Sequence, residues 1–178
     1  MSYPSTLGPI RFLIVQDYRE NPRKCTALPL RGRPGFEFVR LSRPRPREEP
    51  HEVPGGLWLD VDAPPFEPAD RSFLDGDGRV IVLDASWARV RTLERRLRVK
   101  AGSPVCRRSL PEPLRSAYPR KSKLYPDPDR GLATVEAIFA VTLLLGSPLR
   151  EVLDTYRWTD EFLELNRPVF SRVDREFA

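Results

Sequence analysis

Apolar positions along the chain fall into short blocks in the first half and long helical stripes in the second. Phe12-Leu-Ile-Val15 is a continuous apolar run rich in β-branched types, and it predicts a buried strand over residues 11–17. Phe36 to Leu41 alternates apolar and polar positions and predicts a second strand with one solvated face. Gly56-Leu-Trp-Leu59 and Val80-Ile-Val-Leu83 are two more short apolar blocks, each running into an acid, Asp60 and Asp84. Uninterrupted blocks of this kind belong to strands of a parallel sheet covered on both faces. Turn signals separate them: Asn21-Pro22, Pro64-Pro65 and Asp75-Gly-Asp-Gly78. Residues 43–55 are dominated by Pro, Arg and Glu and predict a loop without core residues. One or two helical turns are predicted over Pro68–Leu74.

After Asp84 the period changes. Ser86 is a candidate N-cap for a helix in which Trp87, Val90, Leu93 and Leu97 share one face and Arg89, Arg91, Arg95, Arg96 and Arg98 the other. Residues 100–131 hold eight prolines and glycines in irregular order and predict a long loop. Leu132 to Leu145 is apolar nearly all round and predicts a buried helix stopped by Gly146 and Pro148. Within it Glu136 demands a partner, or a position near the helix N-terminus that satisfies backbone donors or faces a ligand. From Leu149 to Phe170 the spacing predicts one or two amphipathic helices. The fold class is therefore α/β. We divide it into an N-terminal sheet half, residues 1–98, and a helical C-terminal half, residues 99–178.

Asp84 ends a predicted parallel strand, and Trp87 follows within one turn. Small molecules bind at that carboxyl edge of an open α/β sheet. The same pattern also describes a core strand with a solvated Asp and a structural Trp, and spacing alone weights the two about evenly.

Composition narrows the picture further. The 178 residues carry a net charge of +5, and only Lys24, Lys100, Lys121 and Lys123 of the 30 basic residues are Lys, so the cation is Arg, the better phosphate ligand. The basic residues cluster at Arg19, Arg23, Lys24, Arg31 and Arg33, and again at Arg107, Arg108, Arg115, Arg120, Lys121 and Lys123, interleaved with Tyr118 and Tyr125. Cations with interleaved rings suit single-stranded RNA; a solvated, Pro-stiffened loop has the same composition. No apolar run is long enough to cross a membrane. The first residues lack the basic and apolar regions of an export signal, so Cys25 and Cys106 are expected as reduced thiols in the cytoplasm. One histidine, His51, and two distant cysteines exclude a structural zinc site, and no metal is expected.

Four segments resemble the Tsr3 family of rRNA aminocarboxypropyltransferases, in that family's order. Asn21-Pro-Arg-Lys-Cys-Thr26 is similar to D-P-K-[KR]-C-[ST], and Leu83-Asp-Ala-Ser-Trp-Ala-Arg89 to D-C-S-W-A-R, the most specific of the four. Ser109-Leu-Pro111 with Leu132-Ala-Thr-Val-Glu-Ala137 is similar to L-P followed by L-[ST]-x-V-E-A. Arg157 to Asn166 is similar to W-x-x-x-F-L-x-L-N, and Pro68-Ala-Asp70 echoes S-P-A-D. The chain departs from the family at Ala85, where Cys is usual, at Leu59-Asp60-Val, and at Ala117–Lys123, which replaces A-N-P-V-N-Y-G and is followed by extra residues 124–131. It lacks the D-T-W signature of the related tRNA-modifying group.

The resemblance implies a SPOUT-like α/β architecture whose C-terminal half forms a trefoil knot around S-adenosyl-L-methionine. It implies transfer of the 3-amino-3-carboxypropyl group to N3 of a modified uridine in small-subunit rRNA, by a monomer acting on the RNA or on a pre-ribosomal subunit. The matching cofactor positions are Asp84, Ala85, Trp87, Ala88, Leu110, Ala133 and Thr134. Asp84 is the candidate catalytic residue, with two roles open: holding the donor's ammonium, or helping deprotonate N3. Arg23, Lys24, Arg31, Arg107, Arg108, Arg120, Lys121 and Lys123 are the candidate RNA contacts. Two alternatives stand beside this reading: a non-catalytic RNA-binding assembly factor, and a SPOUT RNA methyltransferase.

Overall fold

The five residues of β1 (Phe12–Gln16), four of them apolar, lie at the centre of the molecule, and every one of their side chains is buried. β1 pairs in parallel with β2 (Phe36–Arg40) on one side and with β5 (Arg79–Asp84) on the other. Beyond β5 come β4 (Gly56–Leu59) and the edge strand β7 (Val105–Arg108), again parallel. The sheet order is β2-β1-β5-β4-β7. The structure is a computed structural model and describes residues 10–76, 78–119 and 131–177.

Side-chain alternation along the strands splits the core in two. Phe12, Ile14, Val80, Val82 and Leu57 face α2 (Thr134–Leu144) and α3 (Thr159–Phe177). Leu13, Val15, Ile81 and Trp58 face the opposite way, onto Leu93 of α1 (Trp87–Glu94). Burying one such aliphatic side chain stabilises the fold by roughly 2 kcal/mol, so a sheet covered on both faces needs the unbroken apolar runs seen in the sequence.

α2 is buried along most of its length, as its composition predicts, and ends at Gly146, whose φ of 69° only glycine adopts freely. Ser147 N–H donates to Thr142 O and Gly146 N–H to Leu143 O, which closes the last turn in a Schellman arrangement. Short 3-10 helices cover Leu28–Leu30, Pro68–Leu74 and Arg150–Leu153.

Three expectations change. Residues 43–55 are not wholly loop: β3 (His51–Val53) pairs in parallel with β6 (Leu97–Val99), and Val53 is buried beneath the ribbon. α1 therefore stops at Glu94, although Leu97 keeps helical spacing from Leu93, because that residue is taken by the β3–β6 ladder. The loop predicted over 100–131 contains β7, a strand disguised by two arginines. Their charges are offset where they lie, Arg107 against Asp60 and Glu94, Arg108 against Asp70. β7 also carries the sheet past residue 98.

Candidate functional site

β5 delivers Asp84 to the carboxyl edge of the sheet, where it is only 6% exposed. The parallel register sets it beside Gln16 of β1, and Gln16 Nε2 donates to Asp84 Oδ2 at 2.8 Å. The Cys25 thiol donates to the same oxygen at 3.1 Å. Thr134, the first residue of α2, donates its hydroxyl to Asp84 Oδ1 at 2.6 Å. Burial first, and then the Asp84 charge, push the Cys25 thiol up to about 12. Thus the strand end, the 21–26 turn and the start of α2 meet at one carboxylate.

Ser86 takes the N-cap position of α1 with extended backbone but makes no side-chain cap; its N–H donates to Glu20 Oε1 at 3.0 Å instead. Glu20 also accepts from Arg89 at 2.8 Å, and Arg89 lies 3.6 Å from Asp17. So the arginine of the Asp84–Arg89 motif fastens the loop after β1 to the start of α1. Trp87 is thereby presented half-buried beside Ala88. Gly131 packs on its ring: a Cβ at that position would come within 2.7 Å of Trp87 Nε1.

The opposite wall is residues 109–118, which the C-terminal half holds in place. Glu136, fully buried, accepts from Ala133 N, Ala117 N, Ser116 Oγ and the Tyr156 hydroxyl. These four donors answer the demand seen in the sequence, and Glu136 is an internal clamp. Burial, and then the Glu136 charge, push the Tyr156 hydroxyl far above its usual range. Asn166 of α3 accepts from Arg115 N and donates to Arg115 O, both at 2.8 Å, gripping the same segment as a strand would.

Between these walls lies a cleft of about 1470 Å³. Asp84, Ala85, Trp87, Ala88, Leu110, Ala133 and Thr134 all line it. The structure therefore brings together every cofactor position expected from the sequence. Ser109 Oγ, on a residue 3% exposed, lines the cleft and has no hydrogen-bond partner among the described residues. The N-terminus of α2 opens into it; Ala133 has no oxygen to offer as a cap, and the Val135 N–H donates to Thr26 Oγ1 at 3.4 Å instead.

The expected RNA contacts separate into groups. Arg23 and Lys24 are exposed in the turn after β1, and Lys24 lines the cleft, as do Arg19 and Arg115. Arg31 is exposed but donates to Gln16 Oε1 at 2.6 Å and lies over the Phe38 ring. Arg107 is held by Asp60 and Glu94 over the Trp58 ring, and Arg108 grips buried Asp70 with two bonds of 2.6 and 3.0 Å. Arg120, Lys121 and Lys123 lie outside the described residues. Sequence reading gave no site role to Gln16, Cys25, Ser109 or Gly131. For Cys25 and Ser109 a signal existed, since both stand inside segments that match the family motifs; for Gln16 none did, because its place beside Asp84 comes from the strand register. Among the described residues no cluster of His, Cys, Asp and Glu could hold a metal.

The family described as ribosome biogenesis protein, C-terminal, matches residues 63–176. The chain belongs to this family. Its fold is similar to that of the SAM-dependent rRNA:acp-transferase Tsr3 from Vulcanisaeta distributa, with a TM-score of 0.65 and 26% sequence identity over 94% of this chain and 84% of that one. No curated protein matches the sequence. The Tsr3 resemblance carried by the four motifs is thus borne out, and so is the mixed α/β class with its parallel sheet.

Proposed function

We propose that this chain transfers the 3-amino-3-carboxypropyl group of S-adenosyl-L-methionine to N3 of a modified uridine in small-subunit rRNA. The observation that carries the proposal is the convergence of three separate segments, 84–88, 109–111 and 131–134, on one cleft. The Tsr3 structure, SAM-dependent and acting on rRNA, supports the same donor and substrate class for this chain.

The cleft's chemistry fits such a donor. Ser109 Oγ on the cleft wall is a buried hydroxyl without a partner among the described residues, a polar group that a ribose or adenine edge would satisfy. The N-terminus of α2, whose N-cap residue Ala133 offers no oxygen, favours a carboxylate. Gly131 keeps the Trp87 face free of side-chain bulk. When bound, the donor supplies a sulfonium whose three carbons are all electrophilic. The protein then selects the product by orientation. Trp87 and Ala88 form the wall that would bury the methyl and leave the aminocarboxypropyl arm towards solvent and RNA. Asp84 places a negative charge beside the donor's cationic groups, and Thr134 keeps that carboxylate aligned. Lys24 and Arg115 on the cleft wall are the cations that would meet RNA phosphates.

The finer expectations belong to this proposal: a SPOUT-like trefoil knot formed by residues 99–178, an N-terminal half of residues 1–98, and work in the cytoplasm as a single chain on RNA or pre-ribosomal particles. No helix of the described residues is long and apolar enough to cross a membrane. The non-catalytic assembly-factor reading is favoured only by the altered 117–131 segment. Incubating the protein with carboxyl-labelled donor and small-subunit rRNA tests the proposal. Label in the RNA is the expected result. Unlabelled RNA, despite measurable donor binding, would replace it with the assembly-factor reading.

A further inference from the structure

Asp84 is the hub of a hydrogen-bonded chain that begins on the surface. Arg31 donates to Gln16 Oε1 at 2.6 Å, and Gln16 Nε2 donates to Asp84 Oδ2 at 2.8 Å. A primary amide is ambiguous, because it can offer either its oxygen or its NH2 to a neighbour. A guanidinium is not, because it only donates. Arg31 thus claims the amide oxygen of Gln16 and reinforces the orientation that the acceptor-only Asp84 demands, with the NH2 group facing Asp84 and, at 3.3 Å, the Cys25 sulfur. With Cys25 and Thr134 donating as well, three side-chain donors surround the carboxylate.

We infer that Arg31 is a positioning residue for the donor site: by fixing the amide polarity of buried Gln16, it keeps Asp84 as a fixed anionic acceptor facing the cleft. This rests on the proposal that the cleft binds S-adenosyl-L-methionine. It removes Arg31 from the RNA contacts and gives its charge an inward role. It also supports the first of the two roles of Asp84, holding the donor's ammonium. With its oxygens already accepting from Gln16, Cys25 and Thr134, the carboxylate is held in place as a fixed charge beside a cation.

Substitution at Arg31 tests the chain because the position is exposed and the sign of the effect is diagnostic. Arg31→Lys keeps a donor-only group. Arg31→Met removes it. Arg31→Glu offers only acceptors, so the amide turns its NH2 outward and its oxygen towards Asp84. Affinity of the RNA-free protein for S-adenosylmethionine, read by titration calorimetry, is expected to be nearly native for Lys, about fivefold weaker for Met and weaker still for Glu. Through-space electrostatics gives the reverse order, since the donor carries two positive groups and one negative one and a negative residue would attract it. Equal affinities in all variants, or the reversed order, would overturn the inference while leaving the donor site standing. Should Arg31→Glu fail to fold, the Lys and Met pair decides alone. Absence of binding by the unaltered protein would overturn the donor reading and this inference with it.

Discussion

Thr134 donates its hydroxyl to Asp84 across 2.6 Å, tying the first residue of α2 to the last residue of β5. The two come from opposite halves of the chain, so the bond couples the helical half to the sheet edge where the cleft opens. Thr134→Val keeps the shape and deletes the donor. It is expected to weaken S-adenosylmethionine binding by about 1 kcal/mol, roughly fivefold, with a small change in melting temperature. Calorimetry on the RNA-free protein checks it, and native affinity would detach Thr134 from the site.

Gly131 rests against Trp87 so closely that any Cβ must displace the ring. Gly131→Ala is expected to shift tryptophan fluorescence and lower donor affinity roughly tenfold, in line with the loss of one well-oriented apolar contact. Trp87→Ala should cost more. Unchanged affinity in both variants would place the donor elsewhere.

Cys25 gives a chemical readout. Burial and the Asp84 charge hold its thiol up to about 12, so at pH 8 it stays protonated. Its alkylation by iodoacetamide is expected to be about a hundredfold or more slower than that of a free thiol, since the thiolate is the nucleophile. Asp84→Asn removes the neighbouring charge and should speed the reaction. A Cys25 that reacts like a free thiol in the native protein would contradict the buried contact.

The Asp70–Arg108 pair predicts a pH signature of stability. Burial alone would raise the Asp70 value, but Arg108 and the Glu67 N–H outweigh it and hold the carboxyl below its ordinary 3.8. A lowered folded value means a contribution present in full above the unfolded value and lost as pH falls through the folded one. Arg108→Met should destabilise by about 3 kcal/mol at pH 7, where it leaves a buried carboxylate unpaired. The gap to the native protein should narrow as pH falls below the ordinary 3.8 and on through the lower folded value, where the acid becomes neutral. Thermal melts across pH 2–7 measure it. A gap independent of pH would mean that Arg108 acts by packing alone.

Lys24 and Arg115 line the cleft, whereas Arg108 is spent on Asp70. Lys24→Ala and Arg115→Ala should each lower RNA affinity and flatten the slope of log affinity against log salt by about 0.7, the value of one single-strand phosphate contact. Arg108→Met should leave the slope unchanged. Equal slopes in all three would leave no phosphate on this wall.

Much of this arrangement was legible in the chain. The apolar blocks at 12–15, 57–59 and 80–83 read directly as strands because both sheet faces are covered, and the all-round apolar stretch 132–145 read as a buried helix. Asp84 and Trp87 were legible from the strand pattern, but the other five cofactor positions were legible only through motif resemblance, since Ala85, Ala88 and Ala133 carry no chemistry that composition could reveal. β7 was hidden because its arginines are neutralised by residues far along the chain, Asp60 and Asp70. Gln16 was hidden because its importance comes from register: nothing local to residues 12–16 says that Asp84 lies alongside.

The central claim is that this cleft turns the aminocarboxypropyl arm, and not the methyl, towards RNA. Parallel reactions on small-subunit RNA, one with donor labelled in the carboxyl carbon and one with donor labelled in the methyl, test it most directly. Carboxyl label in the RNA with no methyl label is the predicted result. Methyl label without carboxyl label would make the chain a methyltransferase and contradict the placement of Trp87 and Ala88 as the methyl-burying wall.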